Sequence, residues 1–176
     1  MTAPVVQLEA YDADSPLLAE GARVYAQTWQ RDLEDSIDFF REYAAFPDFR
    51  GLVARLPDER VIGMAFGTRA QPEHWWHRAV AEQVGAGHPA LQNAWVLVEL
   101  AVLPGYRNHG LGTRLHDAIL AAQPLPRVLL STPASNFAAV RLYERLGWSV
   151  LHPGFPFHPG NAPYMVMMRS LPGRVK

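Results

Sequence analysis

The 176 residues, 49% of them hydrophobic, are enough for one well-covered core and too few for two domains of ordinary size, so a single domain over 1–176 is expected. A formal charge of −1 supplies no global field that would draw the chain to nucleic acid or to anionic lipid. The absence of cysteine excludes disulfides, thiolate metal sites and a cysteine nucleophile. The opening residues MTAPVVQLEAYDADS have no basic segment followed by an apolar run, and no stretch is long enough to span a bilayer. A soluble cytoplasmic protein with no membrane partner is the resulting expectation.

Pro4 to Tyr11 reads as a first strand, near a sheet edge because of Pro4. From Ser15, Leu17, Leu18, Gly21, Val24, Tyr25, Thr28 and Trp29 follow helical spacing, with Asp14 or Ser15 as N-cap and Pro16 as first helical residue. A shorter helix is predicted from about Asp35 to Ala45, with Ile37, Phe40 and Ala44 on one face. The acids Asp32, Glu34, Asp35, Asp38 and Glu42 around it form either a solvated face or a negative rim that attracts a cation. Arg50 to Leu56 and Arg60 to Thr68 read as an antiparallel hairpin, where Gly63 and Gly67 mark a bulge or a close approach.

Gln71 to Asn93 reads as an insertion with a helix over Glu73 to Val84. His74 and His77 share a face of it but lack a third ligand, so no metal site is assigned. Trp75 and Trp76 cover the core, or one of them lines a pocket. Trp95 to Val102 is apolar on both faces, as in a central strand, and Glu99 is its anomaly. A glycine turn then opens a helix whose stripe is Leu111, Leu115, Ala118, Ile119 and Ala122, ending before Pro124.

Arg127 to Ser131 is a second apolar strand, and the strand, helix, strand order makes it parallel to the first. Asn136 is placed to cap a helix with Ala139, Leu142, Tyr143 and Leu146 on one face and Gly147 as terminator. Trp148 to Leu151 and Tyr164 to Arg169 are closing strands, joined by HPGFPFHPGNAP read wholly as loop.

A strand feeding a glycine turn that opens a helix can hold an anion, because the first helical N–H groups are unpaired and the macrodipole is positive there. As a dinucleotide fingerprint the turn fails, since Leu115 stands where a third glycine is needed and no ribose-binding acid ends the next strand. As a Walker loop it fails for want of a lysine and hydroxyl after the glycines.

Arg107-x-x-Gly110-x-Gly112 after the run ELAVLPGY resembles the [RQ]-x-x-G-x-[GA] signature of the GCN5-related N-acetyltransferase (GNAT) family. A second block, Asn136-x-x-Ala139-x-x-x-Tyr143-x-x-x-Gly147-Trp148, is similar to that family in order and spacing. The resemblance implies an α/β GNAT fold: a mixed, mostly antiparallel central sheet with a parallel, splayed central strand pair and helices on both faces. It implies acetyl-CoA as cofactor, with its pyrophosphate on backbone from Arg107 through Asn108, His109, Gly110, Leu111 and Gly112 to Thr113. Its pantetheine arm would lie along Leu100, Ala101 and Val102, with Asn136 on the other side of the arm.

Once acetyl-CoA is granted, the chemistry needs a base near the amine, whose conjugate acid has pKa about 10.4, and an acid near the departing thiol, pKa about 8.5. Tyr143 matches the family's usual acid, the alternative being a core tyrosine. Glu99, the one acid on the central strand, is the candidate base, the alternative being a structural carboxylate. Without a cysteine, attack is direct within a ternary complex. The expected function is acetyl transfer to a small primary amine or a peptide amine. The rival is a non-catalytic acyl-CoA-binding or regulatory module with the same fold. A nucleic-acid partner is not expected, and the sequence leaves a homodimer open.

Overall fold

The computed structural model describes residues 2–174. Its strands form a sheet of order β1-β2-β3-β4-β5-β7-β6, made of β1 (Gln7–Tyr11), β2 (Arg50–Arg55), β3 (Val61–Arg69), β4 (Ala94–Val102), β5 (Arg127–Pro133), β6 (Ser149–Phe155) and β7 (Tyr164–Ser170). The helices are α1 (Leu17–Trp29), α2 (Leu33–Ala44), α3 (Trp75–Val84), α4 (Leu111–Ala122) and α5 (Phe137–Arg145). This is the expected α/β class with a mixed sheet. The chain forms two compact units, Met1–Thr68 with Leu97–Pro124 and Arg69–Val96 with Leu125–Lys176. Strand β4 contributes to both.

In the first unit β1 pairs antiparallel with β2, and β2 with β3, which is the predicted hairpin with β1 at the sheet edge. The register shift falls at Ala54/Arg55. Gly63 marks a close approach, since a Cβ there would lie 3.0 Å from Leu115 Cδ1 and 3.4 Å from the Ala101 carbonyl oxygen. Helix α1 begins at Leu17, one residue later than read, with Pro16 rather than Asp14 or Ser15 as its N-cap; Pro16 has helical dihedrals, and Ser15 Oγ accepts the Leu17 N–H at 3.2 Å. Its buried face is Leu18, Gly21, Ala22, Val24 and Ala26, whereas Trp29 is 47% exposed, off the predicted stripe.

Helix α2 starts two residues before the predicted Asp35, because Asp32 Oδ1 accepts the Asp35 N–H at 3.0 Å and caps it. It docks through an aromatic cluster in which Phe40 and Phe66 meet edge-on at 4.6 Å, with Phe39 and Tyr43 around them. Such offset contacts add to the area buried. Helix α4 buries Leu111, Leu115, His116, Ile119 and Leu120, while Ala122 is exposed and Ala118 half-buried. A fully buried histidine replaces the expected alanine because the apolar face is rotated by about one residue.

Gly51 pairs with Tyr11 across the β1–β2 ladder, and a Cβ at Gly51 would lie 2.5 Å from Tyr11 Cζ. The Tyr11 ring is buried and cannot retreat. Gly51→Ala is therefore expected to cost about 1–3 kcal/mol, read as a lower denaturation midpoint in urea at unchanged slope. An unshifted midpoint would show that this strand pair yields freely.

In the second unit β4 and β5 are parallel, with Ala94–Val96 opposite Arg127–Leu129. The short apolar run RVLLS thus becomes a strand buried among Trp95, Val166 and Met167. The two tryptophans divide their roles: Trp76 is buried and its Nε1 donates to Ser131 Oγ at 3.0 Å, whereas Trp75 is 44% exposed. Trp75 meets Phe157 edge-on and stacks on His158.

Strand β6 corrects the reading of HPGFPFHPGNAP as loop throughout. His152–Phe155 continue the strand, with irregularities at Val150/His152 and His152/Phe155. Pro153 is tolerated because β6 is the edge strand, where a missing N–H breaks no ladder bond.

Candidate active site

The turn after β4 is fixed by its own backbone. Pro104–Tyr106 form a 3-10 turn, and Arg107 Nε donates back to the Val102 carbonyl at 2.8 Å, tying the turn to the strand end. Asn108 (φ 64°) and Gly110 (φ 78°) both adopt the left-handed conformation. Gly110 is the N-cap of α4, so no side chain caps that helix and no acid lies in its first turn. This contrasts with α2, capped by Asp32 and followed by Glu34 and Asp35, and with α5, where Asn136 Oδ1 accepts the Ala139 N–H at 3.2 Å.

The first intrahelical bond of α4 is Arg114 N–H to the Gly110 carbonyl at 3.0 Å. The N–H groups of Leu111, Gly112 and Thr113 therefore precede the ladder and point out of the helix start. A Cβ at Gly110 meets nothing within 4 Å, and one at Gly112 meets only Leu100 Cδ2 at 4.0 Å. The glycines thus leave open space over a positively polarised backbone, which suits a phosphate group. His109 brings an Nδ1 that is buried without a hydrogen-bond partner.

Glu99 lies on the same strand, three residues before Val102. It is half-buried, and burial pushes its carboxyl up to about 8, against a smaller opposing pull from Arg31. A carboxyl held between its neutral and charged forms near pH 8 can accept a proton from an ammonium group. Tyr43, on the last turn of α2, is close enough to feel Glu99. Burial above all, and then the Glu42 and Glu99 carboxylates, push its phenol up. Leu100 is half-buried, while Ala101 and Val102 are buried in the strand.

Neither Arg31 nor Tyr43 stood out in the sequence as a site residue, for nothing local says that the α1–α2 segment reaches β4. The acids of that segment behave as a solvated face. Asp32 is occupied as a cap, Asp38 pairs with Arg41 at 3.6 Å, and Glu34, Asp35 and Glu42 are exposed.

In the second unit Asn136 caps α5, so its side-chain oxygen is engaged and its amide N–H₂ remains as donor. Tyr143 sits in the last turn of α5, half-buried, with its ring edge-on to Trp148 at 5.8 Å. Helix α5 has no buried residue. Gly147 (φ 89°) ends this segment as expected. His77 is buried, which holds its imidazole below the usual range despite Glu73, and His74 is the N-cap of α3 with its ring against Trp75. Among the described residues no group of three or more His, Cys, Asp or Glu could hold a metal ion. No helix among them is long and apolar enough to cross a membrane.

The sheet carries the parallel pair β4–β5, and an uncapped, glycine-led helix follows the first strand of that pair. The chain belongs to the GNAT acetyltransferase family, whose model matches residues 17–148. It is 33% identical over 129 residues to a GCN5-like protein acetyltransferase of Mycobacterium tuberculosis, covering 68% of this chain and 63% of that protein. It is 32% identical over 146 residues to mycothiol acetyltransferase of Streptomyces scabiei, covering 77% of this chain and 39% of the relative. The chain thus spans less than two thirds of the length of these curated relatives.

Among solved structures the fold matches aminoglycoside 6'-acetyltransferase type Ii with TM-score 0.66 at 20% identity, covering 93% of this chain and 96% of the other. It matches a GNAT-family acetyltransferase of Staphylococcus aureus Mu50 with TM-score 0.65 at 15% identity, covering 93% and 99%.

Proposed function

We propose that this protein is an N-acetyltransferase that uses acetyl-CoA to acetylate a small primary amine or a peptide amine, its two compact units acting as one domain. The carrying observation is the uncapped start of α4. Its free N–H groups and glycines from Arg107 to Thr113 form an anion cradle that no side chain of the first helical turn fills.

Acetyl-CoA, when bound, supplies an activated acyl group on a good leaving thiol. Asn108, His109, Gly110, Leu111, Gly112 and Thr113 would hold its pyrophosphate through backbone N–H groups, with Arg107 bracing the turn. Leu100, Ala101 and Val102 offer strand backbone to the pantetheine arm, and Asn136 offers its amide N–H₂. A backbone N–H of Leu100 to Val102 would donate to the acyl oxygen.

Glu99 takes a proton from the acceptor ammonium. The freed amine would accept the acyl group that acetyl-CoA supplies, and Tyr143 would give the proton that the thiol takes on leaving. The matching spacing from Asn136 to Trp148, and the half-buried setting of Tyr143 outside the core, support that role. The phosphate cradle is tested by melting. Acetyl-CoA at millimolar concentration raises Tm, and Gly110→Val abolishes the rise, because a β-branched residue resists φ near 78° and its side chain enters the cradle. An equal rise in both proteins would place the cofactor elsewhere.

A further inference from the structure

The last residue of β4 turns its backbone groups to one side. The Leu103 N–H donates to the Ile62 carbonyl of β3 at 2.9 Å. The Val102 carbonyl belongs to the same planar trans peptide and so points the opposite way, off β3. The Ala101 carbonyl oxygen lies against β3, 3.4 Å from where a Cβ on Gly63 would stand. The Val102 N–H shares that peptide and is likewise turned away from β3. Val102 thus carries an outward donor and an outward acceptor. Arg107 Nε, five residues further on, occupies the acceptor at 2.8 Å. Between them lies the 3-10 turn Pro104–Tyr106, and the left-handed Asn108 follows. One side-chain hydrogen bond therefore joins the strand end to the turn that opens α4, all within the first unit.

We propose that Arg107 is a positioning residue that works through its Nε–H and not through its positive charge, holding Val102 so that the Val102 N–H is the donor to the acyl oxygen of acetyl-CoA. The proposal rests on reading the turn after β4 as the acetyl-CoA cradle. Arg107 is exposed, where water and salt screen its charge, while its Nε–H is committed to one carbonyl. Side-chain lengths separate the two roles. Glutamine carries Nε2 the same number of bonds from Cα as arginine carries Nε, so it can give the same hydrogen bond without the charge. Lysine keeps the charge but has a methylene at that position, with its ammonium one bond further out. Methionine offers neither. Loss of the Nε–H frees the Val102 peptide to rotate, which removes the acyl contact and leaves the N–H groups at the start of α4 in place.

The test is titration calorimetry of the full chain with CoA and, separately, with acetyl-CoA. Wild type is expected to bind acetyl-CoA about 3- to 10-fold more tightly than CoA, the weight of one neutral hydrogen bond. Arg107→Gln should keep that ratio, whereas Arg107→Lys and Arg107→Met should bring it to about one. A role in turn stability alone would weaken both ligands alike and leave the ratio unmoved. With any amine that wild type acetylates, Arg107→Lys and Arg107→Met should lower kcat/KM for acetyl-CoA by about 10- to 100-fold, and Arg107→Gln should restore most of the loss. A ratio kept by Arg107→Lys and lost in Arg107→Gln would assign the role to charge and overturn the proposal. So would a ratio that is the same in all four proteins, or an Arg107→Gln protein no better than Arg107→Met. The cradle reading stands in each of those cases. If wild type binds neither CoA nor acetyl-CoA, the cradle reading falls and takes the proposal with it.

Discussion

Glu99→Gln lowers kcat/KM for amine acetylation by about 10²- to 10⁴-fold near pH 8, the usual worth of a positioned base. With Glu99 as the proposed base, the wild-type rate is expected to rise with pH and to level off above about 8, where a carboxyl whose pKa burial has raised is ionised. In the glutamine variant this inflection disappears. The rate recovers in part at higher pH, as the acceptor's own free-amine fraction grows.

Stability reports the same ionisation without an acceptor. The carboxyl has a folded pKa of about 8 against an ordinary 4.5. Between those values the native state keeps a proton that the unfolded chain has lost. Wild-type stability therefore falls as pH rises from about 4.5 to about 8 and is flat beyond. Glu99→Gln removes that slope, leaving the variant more stable than wild type above pH 8, by an amount on the order of a few kcal/mol. Matching pH profiles of rate and of stability in the two proteins would return Glu99 to a structural role.

Tyr143→Phe is expected to lower kcat by roughly 10²- to 10⁴-fold while the Tm shift induced by acetyl-CoA is kept. With Tyr143 as the proposed acid, the expected loss is in kcat, because its O–H then acts only as the thiol departs. The fold should survive, since α5 has no buried residue and phenylalanine keeps the edge-on ring contact with Trp148. A thioester of lower leaving-group pKa should narrow the gap between the two proteins, as a weaker base needs less help to leave. Unchanged turnover would make Tyr143 a packing residue only.

Local signals made much of this molecule legible. The apolar run from Trp95 to Val102, the glycines at 110 and 112, the cap at Asn136 and the stop at Gly147 each act within a few residues. The structure bears out a central strand, an uncapped helix start, a capped helix and a left-handed terminator. Strand β6 was hidden because Pro153 and Gly154 are strand breakers in general and acceptable on an edge in particular. Helix α2 began early because a capping aspartate outweighed the hydrophobic pattern. The approach of Tyr43 to β4 is a long-range property of helix docking, set by the cluster that holds Tyr43 with Phe40, Phe66 and Ala101. No periodicity along the chain encodes it.

The central claim is acetyl transfer from acetyl-CoA to an amine nitrogen. Its most direct test is mass spectrometry of a mixture of amino acids, simple amines, aminoglycosides and peptides incubated with acetyl-CoA and the protein, with CoA thiol release followed in parallel. The chain contributes no thiol of its own to that assay. The account predicts at least one N-acetylated product formed in step with thiol release, at a rate that falls in Glu99→Gln and in Tyr143→Phe. A protein whose Tm is raised by acetyl-CoA but which acetylates nothing in the mixture would contradict it, and would mark the chain as an acyl-CoA-binding module.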